Sequence, residues 1–306
     1  MTSTTRYRGR FAPSPTGALH FGSLVAAVGS FLQARSQDGE WLVRMEDLDP
    51  PREVAGAADD ILRTLEAYGL QWDGAVVYQS RRHDAYDAAL ARLRASEALY
   101  ACACSRREIG DSSLRGPQGP VYPGTCRRGV AAGRHARALR IRTDDACVAF
   151  DDALQGRHES QLEREVGDFV VWRADGCYAY QLAVVVDDAE QGITEVVRGA
   201  DLLASTARQI HLQRLLGLPT PRYAHLPAAV NAAGEKLSKQ TFAPAVPRAS
   251  PLPVLVRVLE FLGQPVAAEV RDGDLESFWH WAIAQWRLER VPRQREIMAT
   301  ASGNGS

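Results

Sequence analysis

The sequence predicts an α/β fold built on a parallel sheet, and three observations carry that expectation. Tyr7-Arg-Gly-Arg-Phe-Ala12 reads as a short strand, and the loop after it is broken by Pro13, Pro15 and Gly17. A helix follows, with apolar residues at Leu24, Val28, Phe31 and Leu32, and then the apolar run 41–45, long enough for a buried strand. Strand, loop, helix and strand within about 40 residues make a βαβ unit. The alternation returns past residue 161, with strand-like runs at 167–172 and 178–186. Ligands in such sheets sit beyond the carboxyl ends of the strands, which places Arg10, His20 and Glu46 at one edge.

Each element has its own signal. Ser23 is the expected cap of the first helix. The run 41–45 ends in Glu46-Asp47-Leu48-Asp49-Pro50-Pro51, where proline stops it. Helices are expected at 57–68, with Ile61, Leu62, Leu65 and Tyr68 on one face, and at 84–99. From 101 to 160 the composition changes to a Gly/Pro-rich loop and dense arginines (Arg127, Arg128, Arg134, Arg137, Arg140, Arg142), as in an insertion. The α/β pattern resumes through 161–226, with Cys177 placed on a strand and a helix at 205–216 ended by Gly217 and Pro219. A polar loop at 231–240 leads to amphipathic helices at 253–262 and 275–286, and 299–306 should fray. The expected division is 6–100 and 161–226 for the two halves of the α/β domain, 101–160 for the insertion, and 227–298 for the loop and terminal helices.

With 306 residues and a net charge of −1, the chain has no global basic field, so any RNA contact must come from a local patch. It shows no signal-peptide core and no apolar run near 18 residues, and its five cysteines are an odd number; a soluble cytoplasmic protein without membrane partners is expected.

Three stretches carry chemistry. The loop from Arg10 to Ser23 brings a hydroxyl, the His20 imidazole and glycines to a helix N-terminus, where backbone N–H groups and the helix dipole favour an anion. Lys236-Leu-Ser238-Lys239 sets two ammonium groups three residues apart with a hydroxyl between them, able to converge on a polyphosphate. Cys102, Cys104 and Cys126 offer three thiolates for a structural zinc ion. His135, Cys147 and Tyr122 remain open as the fourth ligand; chemistry alone favours His135, because phenolate is costlier to form at neutral pH.

Taken together, His20-Phe-Gly-Ser23 and Lys236-Leu-Ser-Lys-Gln240 resemble the HIGH and KMSKS motifs of class I aminoacyl-tRNA synthetases. Arg10-Phe-Ala-Pro-Ser-Pro-Thr-Gly17, Arg44-Met-Glu-Asp-Leu-Asp49 and Gly192-Ile-Thr-Glu-Val-Val-Arg-Gly199 resemble the glutamate branch, so the likeness spans most of 6–246. It implies a Rossmann-like catalytic domain with a small zinc-binding insertion and a short helical C-terminal part. By resemblance ATP, with Mg2+, lies against His20, Gly22, Ser23, Lys236, Ser238 and Lys239, of which His20 and Lys239 are catalytic. Glutamate is implied at Arg10, Phe11, Ala12, Pro13, Ser14, Glu46, Tyr180 and Arg198, the arginines facing carboxylates and Glu46 the ammonium. The resemblance favours Tyr122 as the fourth zinc ligand beside Cys102, Cys104 and Cys126, one ion per chain. Two departures are Phe21 for an aliphatic residue and Ser23 for the second histidine.

Only 67 residues follow Lys239, too few for a separate anticodon-binding domain of the usual size. In this the chain resembles the truncated relatives of the branch, which activate glutamate with ATP without tRNA and attach it to the queuosine at the wobble position of tRNA(Asp). The arginines from 127 to 142 are then expected RNA contacts, and a monomer is expected. Charging of the tRNA 3′ end and a non-catalytic RNA-binding role are the competing readings.

Overall fold

A computed structural model describes residues 6–111, 115–117, 119–237 and 244–299. The first half of the sheet is β1 (Arg8–Phe11), α1 (Phe21–Arg35) and β2 (Glu40–Met45), followed by α2 (Ala57–Ala67), β3 (Val77–Tyr78) and α3 (His83–Ala95). β1 pairs in parallel with β2, Arg10 opposite Leu42, and β2 in parallel with β3. α1 is buried along most of its length, packing Leu24, Val28 and Leu32 with Trp41 and Val43 of β2. Its cap is His20, not Ser23: the imidazole Nδ1 accepts the Ser23 N–H at 3.3 Å, which puts Ser23 inside the first turn. Preference for serine at caps is statistical, and any acceptor three residues ahead can do the same. α3 stops at Ala95 rather than reaching 99, because Glu97 adopts a positive φ of 56° and reverses the chain.

The next elements are β4 (Leu99–Cys102), α4 (Arg106–Gly110), β5 (Arg115–Gly116), β6 (Gly119–Pro120) and β7 (Ala138–Ile141). They are followed by β8 (Cys147–Asp152), β9 (Gly156–Gln161), α5 (Leu162–Glu165) and β10 (Phe169–Trp172). β7 is the middle strand of an antiparallel sheet, with β4 and β10 on either side. The dense arginines knit this region together. Arg127 grips both oxygens of Asp168 at 2.6 Å and also Glu163, Arg140 donates to the Asp168 carbonyl, and Arg134 pairs with Glu108. Although burial pushes the Asp168 carboxyl up, the donors from Arg127, Tyr100 and Thr143 hold it below the usual range.

The chain then re-enters the main sheet through α6 (Tyr180–Glu190), β11 (Glu195–Gly199), α7 (Leu203–Leu216), β12 (Arg222–Leu226) and β13 (Ala228–Val230). The run 178–186, expected as a strand, is therefore mostly helix. Residues 182–188 are buried on every side, so their apolar run has no helical period to reveal it. Cys177 sits in the turn before this helix, not on a strand. β11 lies beside β1, joined by Thr194 N–H to the Arg8 carbonyl and Arg8 N–H to Thr194 Oγ1, both 2.9 Å. β12 pairs in parallel with β11 and touches β8, so the β8–β9 hairpin extends the same sheet. Successive strands thus wind outward in opposite directions from the β1–β11 border, the arrangement that opens a crevice at the carboxyl ends.

The remaining elements are α8 (Pro251–Phe261), α9 (Ala268–Arg271), α10 (Leu275–Gln285) and β14 (Glu296–Met298). Leu255, Leu259, Phe278 and Trp286 join the core under α1, and β14 pairs in parallel with β13. Among the described residues no helix is long and apolar enough to cross a membrane. Ser238, Lys239 and Gln240, and the expected frayed segment beyond 299, lie outside the described residues.

Candidate active site

The carboxyl ends of β1, β2, β11 and β12 open onto a cleft of about 630 Å3. Its walls contain residues 10–14 at the end of β1 and just beyond it, Glu46 after β2, Tyr180 at the start of α6, and Val197, Arg198 and Gly199 of β11. His20, Gly22, Ser23, Lys236 and Leu237 close the other side. All the residues expected around glutamate, and the four described residues expected around ATP, thus meet in one space.

One end of the cleft is a buried ionic lattice. Arg10 donates from Nε and Nη2 to the two carboxylate oxygens of Asp188, at 3.1 and 3.3 Å. Arg44, fully buried, reaches Asp188 at 2.8 Å, Glu46 at 3.5 Å and Asp187 at 3.7 Å. Asp187 also accepts from Gln79, Arg82 and Tyr86. Asp188 thus fixes the plane of Arg10, a bidentate geometry that leaves little rotational freedom. Glu46 is held by its own N–H to the Pro13 carbonyl at 3.0 Å. Burial pushes its carboxyl up to about 7, against the pull of Arg44 and Arg10.

Arg198 projects from the end of β11 and is also buried. Its Nε donates to His225 Nε2 at 3.0 Å, Nη1 to the Tyr180 hydroxyl at 3.2 Å, and Nη2 to Thr206 Oγ1 at 2.9 Å. His225 in turn meets Asp152 at 2.5 Å. Burial and the facing guanidinium push the His225 imidazole down to about 4, although Asp152 pulls the other way, so it is neutral at physiological pH.

The other end is the N-terminus of α1. Since His20 Nδ1 accepts from Ser23, the neutral imidazole carries its proton on Nε2 and can donate from there. Gly22 is where the lysine loop approaches: a Cβ there would lie 3.3 Å from both the His20 ring and the Leu237 carbonyl. Lys236 is paired with Asp201 at 2.5 Å. Beyond the undescribed segment the chain returns to the same place, Val246 N–H donating to the Leu19 carbonyl.

A second cluster lies in the inserted region. The thiol sulfurs of Cys102, Cys104 and Cys126 are all within 4.8 Å of one another, with Cys104 and Cys126 3.7 Å apart. The Tyr122 hydroxyl sits 3.3 Å from Cys102 and 3.7 Å from Cys104. A tetrahedral zinc ion with sulfur ligands at about 2.3 Å spaces its thiolates about 3.7 Å apart, so this donor set fits zinc. Arg140 donates to Cys102 at 3.3 Å and lies 3.9 Å from the Tyr122 ring centroid, a cation beside ligands that are anionic when bound. Neither His135 nor Cys147 belongs to the cluster among the described residues. Between this cluster and the main cleft runs a groove of about 900 Å3 that includes Arg52, Arg106, Arg137 and Arg173, with Arg52 common to both spaces.

The arginines expected as RNA contacts divide between the interior of this region and the groove. Arg127, Arg134, Arg140 and Arg142 are all engaged within the protein, and of the expected set Arg137 and Arg140 line the groove. His225, Asp152, Thr206 and Asp188 were not singled out from sequence. A lone histidine at the carboxyl end of an apolar strand, one residue before the cleft wall begins at Leu226, was the available signal for His225.

Residues 6–248 match the model of the class I tRNA synthetase (E and Q) catalytic domain. A glutamyl-Q tRNA(Asp) synthetase of Dechloromonas aromatica is 62% identical over 297 residues, covering 96% of this chain and 99% of that one. One from Chromobacterium violaceum is 60% identical over 290 residues, covering 95% and 97%. Among solved structures, a glutamate tRNA ligase from Elizabethkingia meningosepticum in complex with its amino acid superposes with a TM-score of 0.79. It is 23% identical and covers 97% of this chain and 68% of that one.

Proposed function

This chain belongs to the class I tRNA synthetases of the E and Q type, and we propose that it activates L-glutamate with ATP and transfers the glutamyl group to the queuosine at the wobble position of tRNA(Asp). The observation that carries this reading is near-full-length identity of 60–62% to glutamyl-Q tRNA(Asp) synthetases. The cleft adds paired guanidiniums, a carboxylate and a helix N-terminus in one space.

In the first step the substrate α-carboxylate attacks the α-phosphorus of ATP, giving glutamyl-adenylate and pyrophosphate. Arg10 and Arg198 bind the two carboxylates, Tyr180 shares the hydrogen-bond set of Arg198, and ionised Glu46 takes the ammonium. The N-terminal amides of α1 and the Nε2–H of His20 stabilise phosphate charge, with Lys236 and, by resemblance, Ser238 and Lys239 opposite. Gly22 and the Ser23 backbone keep this surface close to the nucleotide; Ser23 supplies an uncharged group where the family has a second histidine. Mg2+ bound with ATP would offset phosphate charge. In the second step a hydroxyl of the queuosine cyclopentene ring attacks the glutamyl carbonyl and AMP leaves. The arginine-lined groove supports docking of a single-stranded loop, since five arginines line it and it runs into the cleft at Arg52. Cys102, Cys104, Tyr122 and Cys126 would hold zinc, which would cross-link the wall of that groove at Cys104.

The test combines two assays. Glutamate alone should drive ATP–pyrophosphate exchange, and radiolabelled glutamate should pass to tRNA(Asp) that contains queuosine but not to tRNA(Asp) lacking it. Equal labelling of both tRNAs establishes 3′-end charging instead. No exchange with any amino acid establishes a non-catalytic protein.

A further inference from the structure

We propose that His225 is a positioning residue for the substrate carboxylate, holding Arg198 in one orientation while leaving its positive charge uncompensated; the inference rests on reading the cleft as a glutamate site. His225 stands on β12 in register with Arg198 on β11, and both its side chain and that of Asp152 are fully buried. A guanidinium has donors only, so the 3.0 Å contact from Arg198 Nε requires a lone pair on His225 Nε2. The ring proton then sits on Nδ1, facing Asp152 Oδ2 at 2.5 Å.

Asp152 is itself immobilised. Its Oδ1 accepts the N–H groups of Leu154, Gln155 and His225, at 3.0, 2.9 and 3.1 Å. The chain Asp152–His225–Arg198 therefore runs in one direction, each group fixing the tautomer or rotamer of the next. Thr206 completes it, accepting Arg198 Nη2–H while its oxygen lies 3.3 Å from His225 Nε2.

The choice of imidazole has a chemical reason. Arg10 is held by a carboxylate, Asp188, which neutralises it. The same device at Arg198 would place a second anion where the substrate carboxylate must bind. A neutral ring accepts the Nε–H without adding charge, and the anion of Asp152 stays one residue farther away. An ordinary buried histidine, satisfied for the sake of the core, would show none of this dependence in substrate binding.

Two substitutions separate these roles. In His225→Asn the amide reaches only as far as Nδ1, keeping the link to Asp152 and losing the acceptor for Arg198. In His225→Gln the amide oxygen can take the place of Nε2. In glutamate-driven ATP–pyrophosphate exchange, H225N should raise the glutamate KM about 10- to 100-fold with the ATP KM within twofold of wild type. H225Q should recover to within about fivefold. An unchanged glutamate KM in H225N overturns the proposal, as does an equal rise in both KM values accompanied by loss of thermal stability. The 15N spectrum of the wild-type imidazole gives a check without substitution: a proton on Nε2 at neutral pH overturns it. Wild-type protein without glutamate-driven exchange sinks the functional reading itself, whereas active wild type with an indifferent H225N sinks only the role of His225.

Discussion

Glu46 makes glutamate binding pH-dependent in a calculable way. Burial raises its carboxyl to about 7 in the ligand-free protein, while only the ionised form can pair with the substrate ammonium. At pH 6 roughly one-eleventh of the protein has Glu46 ionised, and at pH 8 roughly ten-elevenths. The dissociation constant should therefore fall about tenfold from pH 6 to pH 8. Binding should release about 0.9 proton at pH 6 and about 0.1 at pH 8. Isothermal titration calorimetry of glutamate alone, in buffers of differing ionisation enthalpy, reads both quantities. His225 does not contribute to this window, since its imidazole is neutral throughout it. The same shift has a stability counterpart. A folded-state pKa raised from 4.5 to about 7 means that stability present below 4.5 is lost as pH rises through 7. That loss is at most about 3.5 kcal/mol at about 1.4 kcal/mol per pKa unit. Glu46→Gln should therefore be more stable than wild type at pH 8 by about 3 kcal/mol, equal to it near pH 4, and unable to bind glutamate measurably. An affinity that is flat from pH 6 to 8, with no proton released, refutes the argument.

Three further outcomes are expected. Cys104→Ser should lower zinc, measured by elemental analysis, from about one ion per chain to almost none, since three protein ligands rarely make a closed structural site. Tyr180→Phe removes the acceptor of Arg198 Nη1–H and should raise the glutamate KM about tenfold with the ATP KM unchanged in steady-state exchange. Gly29→Ala would set a methyl group 2.5 Å from Leu226 Cδ1, where α1 presses on β12. Urea unfolding should show a loss of about 1–3 kcal/mol.

Much of the site was legible because its residues stand in short loops at strand ends, where proline and glycine punctuate the chain. Arg10 and Arg198 are the penultimate residues of β1 and β11, Glu46 directly follows β2, and His20 caps α1 at the end of the loop that leaves β1. The helix at 180–190 was not legible, because a segment buried all round carries neither a polar face nor a period, and its valines favour a strand locally. Nor was the support of Arg198. Asp152 and His225 are 73 residues apart, and no local pattern connects a hairpin end to a later strand. The arginine-rich stretch is ambiguous in a different way: charge density looks the same in sequence whether it faces RNA or, like Arg127, a buried Asp168.

The border between β1 and β11 also governs how the protein reaches this state. Arg8 and Thr194, which join the two halves, are 186 residues apart, and closing a loop of that length costs on the order of 4–5 kcal/mol in chain entropy. If the antiparallel sheet of β4, β7 and β10 forms first, it ties off residues 99–172 and shortens the loop that remains. The gain is only about 0.4 kcal/mol, because the dependence on length is logarithmic. Neither half of the cleft can hold a carboxylate until this closure is complete. Recovery of glutamate binding after dilution from denaturant should accordingly trail recovery of helical circular dichroism, with the slowest phase belonging to the docking of β11 against β1.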